Sequence, residues 1–159
     1  MFKISVMDYT SAFQYLYNQT GNDDEKYAVI SIQEAPEKDM AVTYKEGKNC
    51  KAALNLWFSD ISDIKYQDLQ TSTKLMTEDD ALKIKDFIDK IEMLDLDCLI
   101  IHCYGGVSRS AAVAAAISKA KKDDDAEYFN GGYIPNMFVY NKVLEAFGLS
   151  NGPVIKTEI

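Results

Sequence analysis

A buried strand, a polar loop with two glycines and an alanine-rich helix follow one another directly in the second half of the chain. Residues 98–101 are an unbroken apolar run, which is typical of a central strand covered on both faces. Residues 110–121 are rich in alanine and predict a helix. Because a strand leading straight into a helix is the building unit of parallel sheets, this segment favours an α/β fold.

The pattern elsewhere in the chain supports the same fold class. Strands are predicted at residues 2–6, 27–32 and 52–58, and helices at residues 11–18, 78–94 and 137–147. Thr77 is the expected N-cap of the second helix, with acidic residues in the first turn. Polar stretches at residues 19–26, 34–39 and 123–132 have the lengths of loops. We expect one α/β domain over residues 1–159, with a central, mostly parallel sheet flanked by helices.

Charge and composition exclude several classes of protein. The chain has 159 residues and a formal net charge of −8, so general affinity for nucleic acids or anionic membranes is not expected. No apolar run approaches about 18 residues, which argues against a membrane-spanning helix. The first residues are too polar for a secretion signal. The cysteines at positions 50, 98 and 103 lack Cys-x-x-Cys spacing, which disfavours a zinc site or a redox pair. A reducing cytoplasm without structural disulfides is the expected location.

The basic residues are distributed unevenly. Lysine and arginine total 17, yet the chain has a single arginine, Arg109, and a single histidine, His102. Both lie in the segment 102–110, between the predicted strand and the predicted helix. An arginine used where every other cation is lysine points to a role for its planar guanidinium, whose donors suit bidentate contact with an oxyanion.

This segment has the features of an anion-binding site. Backbone N–H groups of a tight loop converge where a helix begins, and the helix dipole adds about half a positive charge. Gly105 and Gly106 permit backbone conformations that other residues resist. The same donors would stabilise a thiolate at Cys103, and Arg109 can fold over the same point. The sequence therefore predicts an anion site at the carboxyl end of a parallel strand.

Residues 102–110, HCYGGVSRS, resemble the H-C-x5-R-[ST] signature of cysteine-dependent protein tyrosine phosphatases, and most resemble the dual-specificity branch. The resemblance extends more loosely over residues 27–147, including a Phe-Ser-Asp-Ile segment at 58–61 and a Pro-Asn start to the last helix. It implies the phosphatase fold and a two-step phosphoryl transfer through a cysteinyl phosphate, with no metal or other cofactor.

The resemblance also implies roles for individual residues. Cys103 would be the nucleophile, and the Ser110 hydroxyl would bond its thiolate and ease its departure in the second step. His102 would orient the loop and favour ionisation of Cys103. The residues expected to surround the bound phosphate are Tyr104, Gly105, Gly106, Val107, Ser108 and Arg109.

The resemblance places the general acid on a loop after an earlier strand. Asp60 is preferred because it directly follows the aromatic end of the strand predicted at residues 52–58. Asp63 is the second choice and Asp68 the third.

Several functions remain open at this point. A phosphotyrosine protein is the leading substrate, with phosphoserine, phosphothreonine or a small phosphate ester as alternatives, and a phosphate or sulfate ion is expected to fit the loop. Inositol phosphates are disfavoured because residues 104–108 carry no charge. A phosphoprotein-binding module without catalysis is the alternative from another class. A rhodanese-type sulfurtransferase is disfavoured by His102 and Arg109.

Simpler structural roles are open for some of these residues. Ser108 could act only as a helix N-cap. Tyr104 could line the pocket or only shield the cleft. Cys98 alternates in phase with Ile100 and is expected in the core. Cys50 is either a buried inert thiol or the partner of Cys103 in a reversible disulfide.

Overall fold

A parallel sheet forms the centre of the molecule. The computed structural model describes residues 2–18, 24–34, 42–61 and 74–149. The strands in this part of the chain are β1 (Lys3–Met7), β2 (Tyr27–Gln33), β3 (Cys50–Trp57) and β4 (Cys98–His102). They form a four-stranded sheet in the order β1-β4-β2-β3, and every pair is parallel. The predicted α/β class is confirmed.

The apolar content of each strand matches its position in the sheet. All five residues of β4 are buried, as are six of the seven in β2, and these two strands lie at the centre. The edge strands β1 and β3 keep partly exposed side chains. β3 begins at Cys50, two residues before the prediction, where it pairs with Tyr27.

The helices that the structure describes are α1 (Tyr9–Asn18), α2 (Glu78–Ile91), α3 (Arg109–Lys122), α4 (Glu127–Asn130) and α5 (Met137–Ala146). The predicted N-cap at Thr77 is confirmed as a capping box: its hydroxyl accepts from the Asp80 N–H at 3.1 Å, and the Asp80 carboxylate accepts from the Thr77 N–H at 2.9 Å. No helix in the described part of the chain has the length and apolarity that a membrane crossing requires.

Helix α2 ends earlier than its apolar pattern predicts. The prediction extends to residue 94, but the helix ends at Ile91. The N–H groups of Met93 and Leu94 bond to the carbonyls three residues back, at 3.2 and 3.0 Å, so the chain tightens into a turn there.

Helix α3 is buried along most of its length, which explains its alanine content. Its residues from Arg109 to Ser118 are all buried, and it packs against β4, β1, α4 and α5. Small side chains let α3 lie close to the sheet on one face and close to α4 and α5 on its other faces. The site at its N-terminus therefore lies on a rigid element.

The two faces of the sheet are covered differently. Leu99 and Ile101 point into the larger core, which includes buried side chains of α2, α3 and α5. Cys98 and Ile100 point to the opposite face and form a smaller cluster with Cys50 and side chains of α1. The predicted core position of Cys98 is confirmed.

The segment predicted as a polar loop at residues 123–132 contains the short helix α4. Asp123 ends α3 in a left-handed conformation with φ of 55°, and Tyr128 anchors α4 through a buried ring. A helix of four residues is too short to produce a 3.6-residue apolar period, which is why the pattern did not reveal it.

Parallel pairing brings the carboxyl ends of all four strands to one edge of the sheet. Asp8 follows β1, Glu34 follows β2, Asp60 lies just beyond β3, and Cys103 follows β4. This edge is where α/β proteins usually bind ligands.

Candidate active site

The loop between β4 and α3 occupies this edge of the sheet. It begins at Cys103 and leads into Arg109, the first residue of α3. The N-terminus of a helix offers unpaired N–H groups and the positive end of the helix dipole to an anion. The 14-residue helix α3 thus begins at the loop where the sequence predicts an anion site.

Gly106 allows the loop to pack against the end of β1. Its φ is +68°, and an added Cβ would lie 2.7 Å from the backbone nitrogen of Asp8 and 2.8 Å from the carbonyl oxygen of Met7. The Tyr9 N–H donates to the Tyr104 carbonyl at 2.9 Å across the same junction. Gly105 has no such constraint, because no described atom lies within 4 Å of a Cβ added there. The expectation that both glycines serve the loop conformation is therefore corrected to Gly106 alone.

Cys103 and Ser110 form a buried sulfur–hydroxyl pair. The Cys103 Sγ lies 3.1 Å from the Ser110 Oγ, and the cysteine is 2 % exposed. A thiolate has no proton to donate, so in that state the serine hydroxyl must be the donor. A hydrogen bond to a charged sulfur is stronger than one to a neutral sulfur, so the contact is strongest when the sulfur is charged.

The Arg109 guanidinium has partners at Nη1 but none at Nε among the described residues. Its Nη1 donates to the Phe58 carbonyl at 2.9 Å and lies 3.6 Å from the Glu34 Oε1. The residue is 4 % exposed, and its buried Nε has no hydrogen bond in the described part of the chain. A buried donor without a partner is costly, and a bound oxyanion would satisfy it.

Asp60 faces the loop from the end of β3. Its Oδ1 accepts two hydrogen bonds, from the Ser108 Oγ at 2.8 Å and from the Asn136 Nδ2 at 2.9 Å. Ser108 occupies the N-cap position of α3, but its side chain makes no capping bond. The interpretation of Ser108 as only a helix cap is therefore wrong, because its hydroxyl donates to the Asp60 carboxylate.

His102 is fully buried beneath the loop. Its Nδ1 lies 3.3 Å from the Cys103 carbonyl oxygen, and the rings of Tyr44 and Tyr9 pack on it edge to face, at 5.2 and 6.0 Å between centroids. Burial is the main reason that the pKa of His102 is lowered from 6.5 to about 4; the positive charge of Arg109 contributes to this shift, and the hydrogen bond to the Cys103 carbonyl opposes it. The imidazole is therefore neutral at pH 7 and contacts the loop backbone at Cys103.

A cavity of about 440 Å³ lies over the loop. Its lining residues are Asp60, Cys103, Tyr104, Gly105, Val107, Ser108, Arg109 and Ile134. Tyr104 thus lines the cavity, and Gly106 does not, because it faces β1. Tyr104 is 78 % exposed and Ile134 is 75 % exposed, so two large apolar side chains stand at the mouth. Among the described residues, no three carboxylate, imidazole or thiol side chains come together as a metal site.

The backbone of this chain superimposes on solved phosphatase-like structures. It matches the human tyrosine phosphatase-like serine/threonine/tyrosine-interacting protein with a TM-score of 0.59 and 17 % identity, covering 89 % of each chain. It matches DUSP15 with a TM-score of 0.59 and 16 % identity, covering 98 % of this chain and 90 % of that one. The chain has the dual-specificity phosphatase fold.

A third solved structure that this chain matches is PTPMT1 in complex with PI(5)P. The TM-score is 0.56 and the identity 14 %, covering 92 % of this chain and 90 % of that one. Neither a protein-family model nor a curated protein matches the sequence. Identities of 14 to 17 % accompany alignments over about nine-tenths of the chain, so the likeness lies in the backbone.

The register of the parallel strands overturns the hypothesis of a Cys50–Cys103 disulfide. Cys50 and Cys98 both pair with Tyr27, so Cys50 lies at the amino end of the sheet, level with Cys98. Cys103 lies five residues beyond Cys98, just past the carboxyl end of β4, which is about 16 Å at the rise of a strand. A disulfide needs Cα atoms within about 7 Å. Burial also raises the pKa of the Cys50 thiol to about 11, as expected for an inert core cysteine.

One residue of the candidate site was not predicted from the sequence. Asn136 was noted only as part of a Pro-Asn helix start, yet its side chain bonds Asp60. Asn is a common N-cap residue, and Asn136 caps α5 by accepting a hydrogen bond from the Val139 N–H at 3.2 Å. Asp63 and Asp68 lie outside the described residues.

Proposed function

We propose that this chain is a cysteine-dependent phosphatase that hydrolyses phosphotyrosine in proteins. The observation that carries the proposal is the Cys103–Ser110 pair at 3.1 Å, at the start of α3, beneath a cavity that Asp60 and Arg109 also line. Nucleophile, oxyanion donors and a carboxyl group thus surround one volume, which is the set that phosphoryl transfer through a covalent intermediate requires.

In the first step, the Cys103 thiolate attacks phosphorus in line with the leaving oxygen. The S–P bond forms as the P–O bond to the substrate breaks, and Asp60 transfers its proton to the departing oxygen. Arg109 and the loop amides bind the equatorial oxygens, where negative charge concentrates in the transition state. The free edge of the guanidinium at Nε suits this contact.

In the second step, water hydrolyses the cysteinyl phosphate. Asp60, now a carboxylate, accepts a proton from water as the oxygen attacks phosphorus, and the S–P bond breaks to release inorganic phosphate. The Ser110 hydroxyl stabilises the thiolate that leaves. His102 supports both steps indirectly, since it contacts the carbonyl of Cys103.

The mouth of the cavity supports an aromatic ester as the substrate. Tyr104, Val107 and Ile134 supply an apolar rim, and Arg109 is the only cation among the lining residues that the structure describes. A phenyl ring gains from burial against such a rim. PI(5)P, the ligand seen with PTPMT1, carries a phosphodiester besides its 5-phosphate, and the described lining offers no second cation for it, so it is not the ligand we favour for this chain.

Turnover measurements test the proposal. We expect wild type to release phosphate from a phosphotyrosine peptide, with Cys103→Ser inactive and Asp60→Asn strongly impaired. Faster turnover of a phosphothreonine peptide or of soluble PI(5)P would overturn the substrate assignment but keep the reaction. Tight peptide binding without phosphate release by wild type would instead support a binding module.

A further inference from the structure

Asn136 joins three parts of the molecule through a buried side chain. It is 7 % exposed, and its Nδ2 donates to the Asp60 Oδ1 at 2.9 Å and to the Ile61 carbonyl at 3.2 Å. Its Oδ1 caps α5, and its backbone N–H donates to the Ser108 carbonyl at 3.1 Å. The loop after β3, the start of α3 and the start of α5 therefore meet at one amide.

We propose that Asn136 is a positioning residue that, together with Ser108, holds Asp60 ready for proton transfer. The proposal rests on the proposed phosphatase function. Asp60 is an exposed side chain, and without these contacts it would sample several rotamers. Two donors from separate elements fix the carboxyl group over the cavity before any substrate arrives.

The two donors also distinguish the oxygens of Asp60. Both hydrogen bonds reach Oδ1, and Oδ2 has no hydrogen bond to a described residue. A proton on the carboxyl group therefore goes to Oδ2, whose lone pairs are not engaged. Asn136 and Ser108 thus orient Oδ2 as the oxygen that delivers the proton to the leaving group.

The capping role of Asn136 has to be separated from its role toward Asp60. Serine caps helices about as well as asparagine, so Asn136→Ser retains the cap of α5 while removing the Nδ2 donor. Thr77→Ala, which deletes the cap of α2 away from the cavity, is the matched control for loss of a helix cap alone. Thermal unfolding of both variants reports the structural cost.

The measurement is kcat/KM for aryl phosphates whose leaving phenols differ in acidity. Dinitrophenolate departs without a proton, whereas phenolate needs one from the general acid. For Asn136→Ser we expect about a tenfold loss on phenyl phosphate and a change of less than about twofold on dinitrophenyl phosphate. Thr77→Ala should leave both values unchanged.

Each other outcome overturns the proposal. An equal loss on all esters would assign Asn136 a general structural role, and no loss on phenyl phosphate would mean that Ser108 alone suffices. Wild type that hydrolyses none of the esters would overturn the proposed phosphatase function and this proposal with it. If wild type is active and Asn136→Ser changes kcat/KM by the same factor on every ester, only the positioning role is overturned.

Discussion

The sulfur of Cys103, at the start of the loop after β4, lies 3.1 Å from the hydroxyl oxygen of Ser110 in the first turn of α3, and both residues are buried. This contact matters most when the sulfur carries a full negative charge. In the cysteinyl phosphate the sulfur is bonded to phosphorus, and charge returns to it only as the intermediate hydrolyses. In the reaction that we propose, the serine therefore acts mainly on the second step.

Ser110→Ala is predicted to slow hydrolysis of the intermediate more than its formation. A hydrogen bond to a charged group is worth about 1.5–3 kcal/mol, or roughly 10- to 100-fold in rate. With para-nitrophenyl phosphate as the substrate, we expect kcat to fall by that factor while kcat/KM changes little. A burst of para-nitrophenol in the first turnover should show that the second step has become slow. Ser118→Ala, which removes another buried hydroxyl of α3, is the control. Equal losses in kcat and kcat/KM would contradict the assignment.

Arg109→Lys is predicted to reduce turnover by about 10²–10³, the effect of removing one oxyanion donor. The substitution keeps the net charge, but an ammonium cannot bond the Phe58 carbonyl and two phosphoryl oxygens in one plane. Lys83→Arg, on the exposed face of α2, is the matched swap and should have no effect. Activity of Arg109→Lys near that of wild type would mean that the loop amides alone bind the phosphate.

Much of the candidate site could be predicted from residues 102–110, because this short segment contains Cys103, Arg109 and Ser110. The relative positions of these residues depend only on one strand, one loop and one helix. The strand order β1-β4-β2-β3 was not predicted, because alternation of side chains does not identify a strand's neighbours. The hypothesis for Cys50 was wrong for the same reason. Asn136 was missed because it meets Asp60 only through the packing of α5, 76 positions away in the chain.

His102 is predicted to remain neutral down to unusually acidic pH. Its pKa falls from 6.5 to about 4 through burial, so between these values the unfolded chain binds the proton more readily than the folded one. Stability is therefore lost as pH falls through this window, by about 3 kcal/mol at pH 4. Because the chain has one histidine, proton NMR follows its titration without assignment. A midpoint near 6.5 in the folded protein would contradict the buried, neutral assignment.

Two adjacent glycines form a matched pair for testing the loop geometry. Gly106→Ala introduces a Cβ 2.7 Å from the backbone of β1 at a φ of +68°, which should cost about 1–3 kcal/mol. Gly105→Ala meets no described atom within 4 Å and should change the free energy of unfolding by less than about 0.5 kcal/mol. Urea unfolding of both variants measures the difference. Equal costs would mean that the contact between the loop and β1 does not constrain position 106.

The central claim is that Cys103 becomes covalently phosphorylated during turnover, and rapid quenching followed by mass spectrometry tests it most directly. Asp60→Asn should accumulate the intermediate with dinitrophenyl phosphate, because that phenolate leaves without help while the water lacks its base. We expect one phosphoryl group on the peptide that contains Cys103, and none in Cys103→Ser. Phosphate released at the wild-type rate by Cys103→Ser, with no phosphorylated cysteine in any variant, would contradict it.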